Sequence, residues 1–411
     1  MNERIAALFA GDPSTEVPSV GIELELLALD RRADRSLDLD LGAVVPGIAR
    51  IAETSEALAD LPHVAFEPGG QVELNPPPAP TAAGAIDNLQ TLRSACTDRL
   101  QRTGIELLAI GLDPWHAAVD VPLQLHTDRY RAMIRHYAGI GPAGRSFMLQ
   151  TASTQICVGM RPGPDGRDQW HAANLVAPLL AAAFANAPFR EGRPLGDNGG
   201  RTAVSACADR DRHRVPWVGR GPAVAYAELA QRAAPISAAY AGPDDVDLHL
   251  TTLFPPVRPR GTYLEVRSVD SLSGDDLATA VVLTAALLAS PGACRDVLAQ
   301  LPISAAFDRE RWTLAAGAGI RHPALAAEVT TLVDIASRAA RHELPVGYLP
   351  GDADDRLDVL RSRVALGRAP GDRLCGQARR STEARGVEAA PTVHRFERSP
   401  VGAVSRAEGR G

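Results

Sequence analysis

The sequence predicts an α+β fold: an antiparallel sheet covered by helices on one face. Three observations predict it. Four segments alternate polar with apolar residues, the period of two that marks a strand with one wet face. Long stretches between and after them repeat apolar residues at spacings of three and four, the period of a helix. Strands and helices follow no βαβ rhythm and the strands alternate rather than run apolar, which points away from a parallel sheet.

Residues 17–29 read as a strand carrying the motif GIELE at 21–25. Side chains at i and i+2 share a face, so Glu23 and Glu25 project together while Ile22 and Leu24 point into a core. Residues 63–75 read as strand, turn, strand around Pro68-Gly69-Gly70, with Gln71 and Glu73 on one face and Val72 and Leu74 on the other. Residues 82–102 read as a helix on Ile86, Leu89, Leu92, Ala95, Cys96 and Leu100, and 105–111 as a short buried strand. Residues 127–138 form a helix with Tyr130, Met133, Ile134 and Tyr137 on one stripe, ending in a glycine-rich turn over 139–144. A strand over 151–158 carries Gln155, and 172–187 is an apolar core helix. Residues 190–221 read as a long loop rich in Arg, Gly and Asp, a kind of segment that is often functional. The fourth alternating strand, 263–267, places Glu265 and Arg267 on one face. Helices are expected near 223–236, 274–299, 322–341 and 353–366. Beyond residue 367 the apolar periodicity collapses, so 1–367 reads as one catalytic domain and 368–411 as a disordered tail.

One such pair of acids is an ordinary solvated sheet face. Four such segments, three of them carrying Glu23, Glu25, Glu67, Glu73 and Glu265 on their wet faces, are a different matter, because crowded carboxylates repel unless a cation neutralises them. Mg2+ takes hard oxygen ligands and binds through carboxylates together with substrate phosphates. Gln155 adds an amide oxygen, and Arg267 suits a phosphate. Removing Glu23 or Glu265 is therefore expected to end turnover while relieving repulsion.

Composition excludes several classes. A net charge of -6 speaks against nucleic acid or an anionic membrane as partner. No run approaches the ~20 apolar residues of a membrane span, and the start Met1-Asn2-Glu3-Arg4 reads as no signal peptide, so a cytoplasmic protein is expected. Five scattered cysteines make neither a zinc site nor a disulfide framework, and Cys157 reads as a buried thiol. All 43 basic residues are arginine, which excludes a P-loop and a Lys Schiff base. No nucleophile motif is present. His116, His126, His136 and His249 read as structural histidines, with His136 the best placed of them for function, and Trp115 as packing under the sheet.

GIELE at 21–25, FEPGGQVELNPPP at 66–78, SFMLQTASTQICVG at 146–159 and YLEVRSVD at 263–270, in this order, resemble the glutamate–cysteine ligase family. The resemblance is best to the plant-type branch, family 2, which includes bacterial ligases of ergothioneine biosynthesis. It implies a glutamine-synthetase-like antiparallel β-sheet funnel covered by helices. It implies ATP and Mg2+, phosphorylation of the γ-carboxylate of L-glutamate, and attack by the amine of L-cysteine to give γ-glutamylcysteine, ADP and phosphate. By motif, Glu23, Glu25, Glu67, Glu73 and Glu265 would face metal, Gln155 the metals and nucleotide, and Arg267 a phosphate. Arg201 would be a candidate for the glutamate α-carboxylate. Many relatives carry an aromatic residue shortly after that arginine; the run from Arg201 to Asp209 has none, leaving Trp217 as a substitute. The competing readings are a ligase for another amine, a guanidino phosphotransferase, and a non-catalytic nucleotide or glutamate sensor.

Overall fold

The computed structural model describes residues 1–13, 16–32, 41, 45–216, 221–236, 246–302 and 309–384. Its strands are β1 (Val20–Asp30), β2 (Gly47–Ile48), β3 (Val64–Phe66), β4 (Val72–Leu74), β5 (Ile105–Leu108), β6 (Ser153–Gly159), β7 (Phe189–Arg190), β8 (Arg193–Pro194), β9 (Val257–Pro259) and β10 (Tyr263–Asp270). Eight of them form a sheet ordered β3-β4-β1-β6-β10-β9, with β2 and β5 paired to the far end of β1. Every pairing in it is antiparallel, as the alternation requires.

The period of two assigns the faces. Ile22, Leu24, Leu26 and Ala28 of β1 join Val72, Leu74, Ile156, Val158, Leu264 and Val266 in the main core. That core is completed by the helices Ala82–Leu100, Gly163–Ala183, Gly274–Ala289 and Pro323–His342. The other parity of β1 carries Glu23 and Glu25, then Leu27 and Leu29, which enter a smaller core with Ile110, Trp115, Ala152 and Phe189. The charged face of β1 thus ends against an apolar floor.

The β3–β4 connection shows why its residues are what they are. The Gly70 amide donates to Glu67 O and the Glu67 amide to Gln71 O, both at 2.9 Å, the pattern of a type I turn followed by a one-residue bulge. Pro68 presets the first turn position, and Gly70 supplies the left-handed backbone at φ 97. Gly69 is fixed by space: a Cβ there would lie 2.0 Å from Leu149 O.

Several expectations are corrected. The glycine-rich 139–144 is mostly helical; only Gly141, at φ 116, interrupts before Pro142 opens the helix Pro142–Leu149. The strand expected over 105–111 stops at Leu108. The apolar helix begins earlier than Ala172 and spans Gly163–Ala183. The long loop 190–221 contains the β7–β8 hairpin and the helices Gly200–Cys207 and Arg210–His213. The stretch 274–299 is two helices meeting at 92°, because Pro291 cannot continue the first and Ser290 caps the second by accepting the Ala293 amide. The tail segment begins with a helix, Pro370–Ala384, whose Leu374 and Ala378 pack into the smaller core beside Leu27 and Leu29. Residues 385–411, and Trp217, lie outside the described residues.

Candidate active site

Cross-strand register converges the predicted side chains. Glu25 of β1 pairs with Glu73 of β4, and Glu23 with Gln155 of β6. Glu67 enters from the β3–β4 turn, and a carboxylate oxygen from each of Glu25, Glu67 and Glu73 lies within 4.8 Å of the others. Glu25 accepts the Ser153 amide at 2.7 Å and the Gln155 amide at 2.8 Å, and Glu73 accepts from Asn75 at 2.6 Å. Among the described residues, no guanidinium forms an ion pair with any of the three.

This half of the face is short of positive charge. Burial, reinforced by Glu73, raises Glu25 above the ordinary carboxylate range. Burial and the neighbouring Glu25 and Glu73 push Glu67 well above it. Glu23, beside the triad, is pushed to about 7 by burial and by Glu265 and Glu73. Half-buried carboxylates that face one another form a donor set suited to a hard divalent ion.

The other half is the reverse. Glu265, fully buried, is not part of the triad; it is enclosed by Arg258, Arg260 and Arg267. Arg258 lies directly across from it on β9, 3.3 Å away, and Arg260 reaches it at 2.8 Å. Burial alone would raise Glu265, but Arg258, Arg267 and Arg260 outweigh it and hold the carboxyl at about 2. Arg267 also donates to Gln155 Oε1, so Gln155 bridges the two halves: its NH2 serves Glu25 and its oxygen serves Arg267. The Arg258 and Arg267 guanidiniums lie 5.5 and 5.9 Å from the centre of the Phe254 ring. Negative charge gathers on β1, β4 and the β3–β4 turn, and positive charge on β9 and β10.

Arg201 reaches this region from the helix Gly200–Cys207, but its guanidinium is taken up by β10: it donates to Arg267 O at 2.8 Å and lies 3.5 Å from Asp270. Cys157 is buried beside Glu23 and Glu265, which with burial keep its thiol protonated. His136 is bound to Asp209 at 2.6 Å, beside Arg212, and His116 is held by Asp113 at 2.8 Å and the Pro46 carbonyl at 3.0 Å. Trp115 packs in the smaller core. Sequence reasoning missed Arg258 and Arg260. They alternate about Pro259 just before Gly261, the same period of two as Glu265 and Arg267, and the proline marks an edge strand rather than the absence of one.

The model of glutamate-cysteine ligase family 2 matches residues 19–390. The chain belongs to glutamate–cysteine ligase family 2. Among family relatives, glutamate–cysteine ligase EgtA of Mycolicibacterium smegmatis is 28% identical over 377 residues, covering 82% of this chain and 84% of that protein. The chloroplastic glutamate–cysteine ligase of Arabidopsis thaliana is 26% identical over 306 residues, covering 65% of this chain and 58% of the plant protein. The crystal structure of the Francisella tularensis glutamate–cysteine ligase in complex with AMP superposes with a TM-score of 0.56 at 13% identity, covering 91% of this chain and 90% of that one, which establishes a shared fold. The family match extends past residue 367 and includes the helix Pro370–Ala384.

Proposed function

We propose that this family member joins the γ-carboxylate of L-glutamate to the amine of L-cysteine at the cost of ATP, through a γ-glutamyl phosphate. The observation that carries the reading is the division of one sheet face into a carboxylate triad and an arginine cluster joined by Gln155. A carboxylate is a poor electrophile, and converting it to an acyl phosphate supplies a leaving group. Such chemistry needs positioned reactants and screened charge rather than a protein nucleophile.

The residues fit Mg2+. Glu25, Glu67 and Glu73, flanked by Glu23, would hold it, and when bound it would screen the phosphates and polarise the phosphoryl oxygens. Arg267 would donate to a phosphate oxygen. Glu265 keeps Arg267 charged and, with Gln155, fixes the direction of its guanidinium. Glu265 thus acts in this scheme through the arginines. The product is assigned to low-molecular-weight thiol synthesis, ergothioneine included, on the strength of the mycobacterial relatives. A cytoplasmic site of action suits a chain whose five cysteines are all free thiols.

The test is product analysis by mass spectrometry after incubation with ATP, Mg2+ and L-glutamate, with L-cysteine or a panel of other amines. A cysteine-dependent γ-glutamylcysteine peak with stoichiometric ADP is expected. ADP formed only with another amine would keep the ligase and reject cysteine as acceptor.

A further inference from the structure

Glu25 and Glu73 stand opposite one another on paired strands, but Glu67 has no such support. It lies one residue past the end of β3, an edge strand of three residues, in the turn to β4. Acids that repel one another displace the one whose backbone is least held, and here that is Glu67. Contacts from outside the turn must therefore fix it. On one side Gln71 does so: its side-chain oxygen accepts the Gly69 amide at 3.0 Å, and its NH2 donates to Thr151 O at 2.8 Å. On the other side stands Gln124, half-buried in an irregular segment before the helix Asp128–Ile140. Its backbone amide donates to Pro68 O at 2.8 Å, and its side-chain NH2 to Gly69 O at 3.1 Å and Ala49 O at 3.0 Å. A Cβ on Gly70 would lie 2.2 Å from the Gln124 side-chain nitrogen, so this contact as well as the positive φ requires glycine there.

The far end of the clasp is anchored too. Ala49 follows β2, which pairs with β1, and the Ala49 amide donates to Ala28 O at 3.0 Å. The helix Ile51–Leu58 has no side-chain N-cap of its own, and the Gln124 oxygen accepts its first amide, Ile51 N, at 2.8 Å. Gln124 thus ties the turn that carries Glu67 to a segment docked on the strand that carries Glu25.

On the reading of the triad as a metal site, we propose that Gln124 is a positioning residue that holds Glu67 against the repulsion of Glu25 and Glu73 and so preorganises the three acids for a divalent cation. Gln124 itself does not touch the ion. Groups that orient a metal's ligands set its affinity by about ten- to a hundredfold.

The experiment titrates the full-length protein with Mn2+, an oxygen-ligated stand-in for Mg2+ read by electron paramagnetic resonance, at pH 8 without ATP or glutamate. Wild type is compared with Gln124→Met, Glu67→Gln and the double variant, and hydrogen exchange across 64–74 is followed on each. Gln124→Met is expected to raise the Mn2+ Kd about tenfold and to raise exchange specifically over 67–71. Glu67→Gln is expected to cost at least as much affinity. Adding Gln124→Met to it is expected to change the Kd by less than about threefold, because Gln124 acts through Glu67. A Gln124→Met Kd within about threefold of wild type, while Glu67→Gln loses tenfold, would overturn the proposal and leave the metal site standing; Gln124 would then serve stability alone. Losses that multiply in the double variant, or exchange unchanged over 67–71, would overturn it as well. Wild type that binds no Mn2+, or Glu67→Gln that binds it unimpaired, would remove the metal reading and the proposal with it. If Gln124→Met does not fold, Gln124→Asn carries the same comparison: it keeps the backbone bond to Pro68, but its amide is one methylene too short to span Ala49 and Gly69.

Discussion

Glu67, from the β3–β4 turn, and Glu265, on β10, belong to the same site and are predicted to respond oppositely to loss of charge. Glu67 faces two acids, so Glu67→Gln removes repulsion and is expected to raise Tm while cutting turnover by about a hundredfold or more. Glu265 neutralises three arginines, so Glu265→Gln strands buried cations, a loss on the order of 3–5 kcal/mol. Denaturant unfolding of both variants checks the contrast, and equal shifts of the same sign would reject it. The expectation that removing Glu265 merely relieves repulsion is thereby corrected. His213 gives a pH test. Burial holds it neutral, with its pKa near 3, among Tyr137, Phe147 and Phe254. A histidine depressed in the folded state contributes stability that is complete above its ordinary value of 6.5 and is lost as pH falls toward 3. His213→Phe is expected to flatten the wild-type loss of stability between pH 6.5 and 4, followed by chemical denaturation. The faces of Glu23, Glu25, Glu73, Gln155, Glu265 and Arg267 were legible because strand alternation is local. Their partners were not: that β1 lies between β4 and β6, and that β9 brings Arg258 to Glu265, depends on contacts distant in sequence.

At the scale of elements, the helix Pro370–Ala384 decides how the C-terminus behaves. Its first half was illegible because its apolar side is thin: Leu374 and Ala378 supply its buried contacts in the smaller core. Arg373, with Arg363, also pairs with buried Asp276. Removing 376–411, which the reading of 368–411 as a disordered tail would make harmless, cuts this helix and uncovers Leu27 and Leu29, immediately beyond Glu25 on the same face of β1. A chain ending at Ala384 is expected to match the full-length protein in stability and activity, whereas one ending at 375 is expected to lose both. Leu374→Ala should cost about 2–3 kcal/mol, as for a buried leucine whose site collapses incompletely. Equal melting curves for the two truncations would show that the helix does not support the sheet. The break at Ser290–Pro291 was missed although its proline and cap residue signal it, and the short helices of 190–221 carry no such signal, since each is too brief to show a period.

For the whole molecule, the sheet is a scaffold whose core face is covered by helices and whose other face holds more acid than its own arginines neutralise. Glu23, raised to about 7, makes that deficit measurable. A carboxyl raised in the folded state contributes stability that is full below the ordinary value of 4.5 and is lost as pH rises through 7. A cation needs the ionised form and recovers the loss. Mg2+ at about a hundredfold excess over its Kd is therefore expected to raise Tm by roughly 2–5 °C at pH 8, and by less at pH 6. An equal rise at both pH values, or one that survives in Glu25→Gln, would place the ion elsewhere.

The account's central claim is that this face phosphorylates a carboxylate. Glutamate labelled with 18O in its γ-carboxylate, turned over with ATP, Mg2+ and L-cysteine, tests it most directly. The labelled oxygen attacks the terminal phosphorus, and amine attack at carbon then expels it with the phosphoryl group. Inorganic phosphate carrying one 18O per γ-glutamylcysteine formed is the predicted result; unlabelled phosphate alongside product would contradict the acyl phosphate and the role assigned to the site.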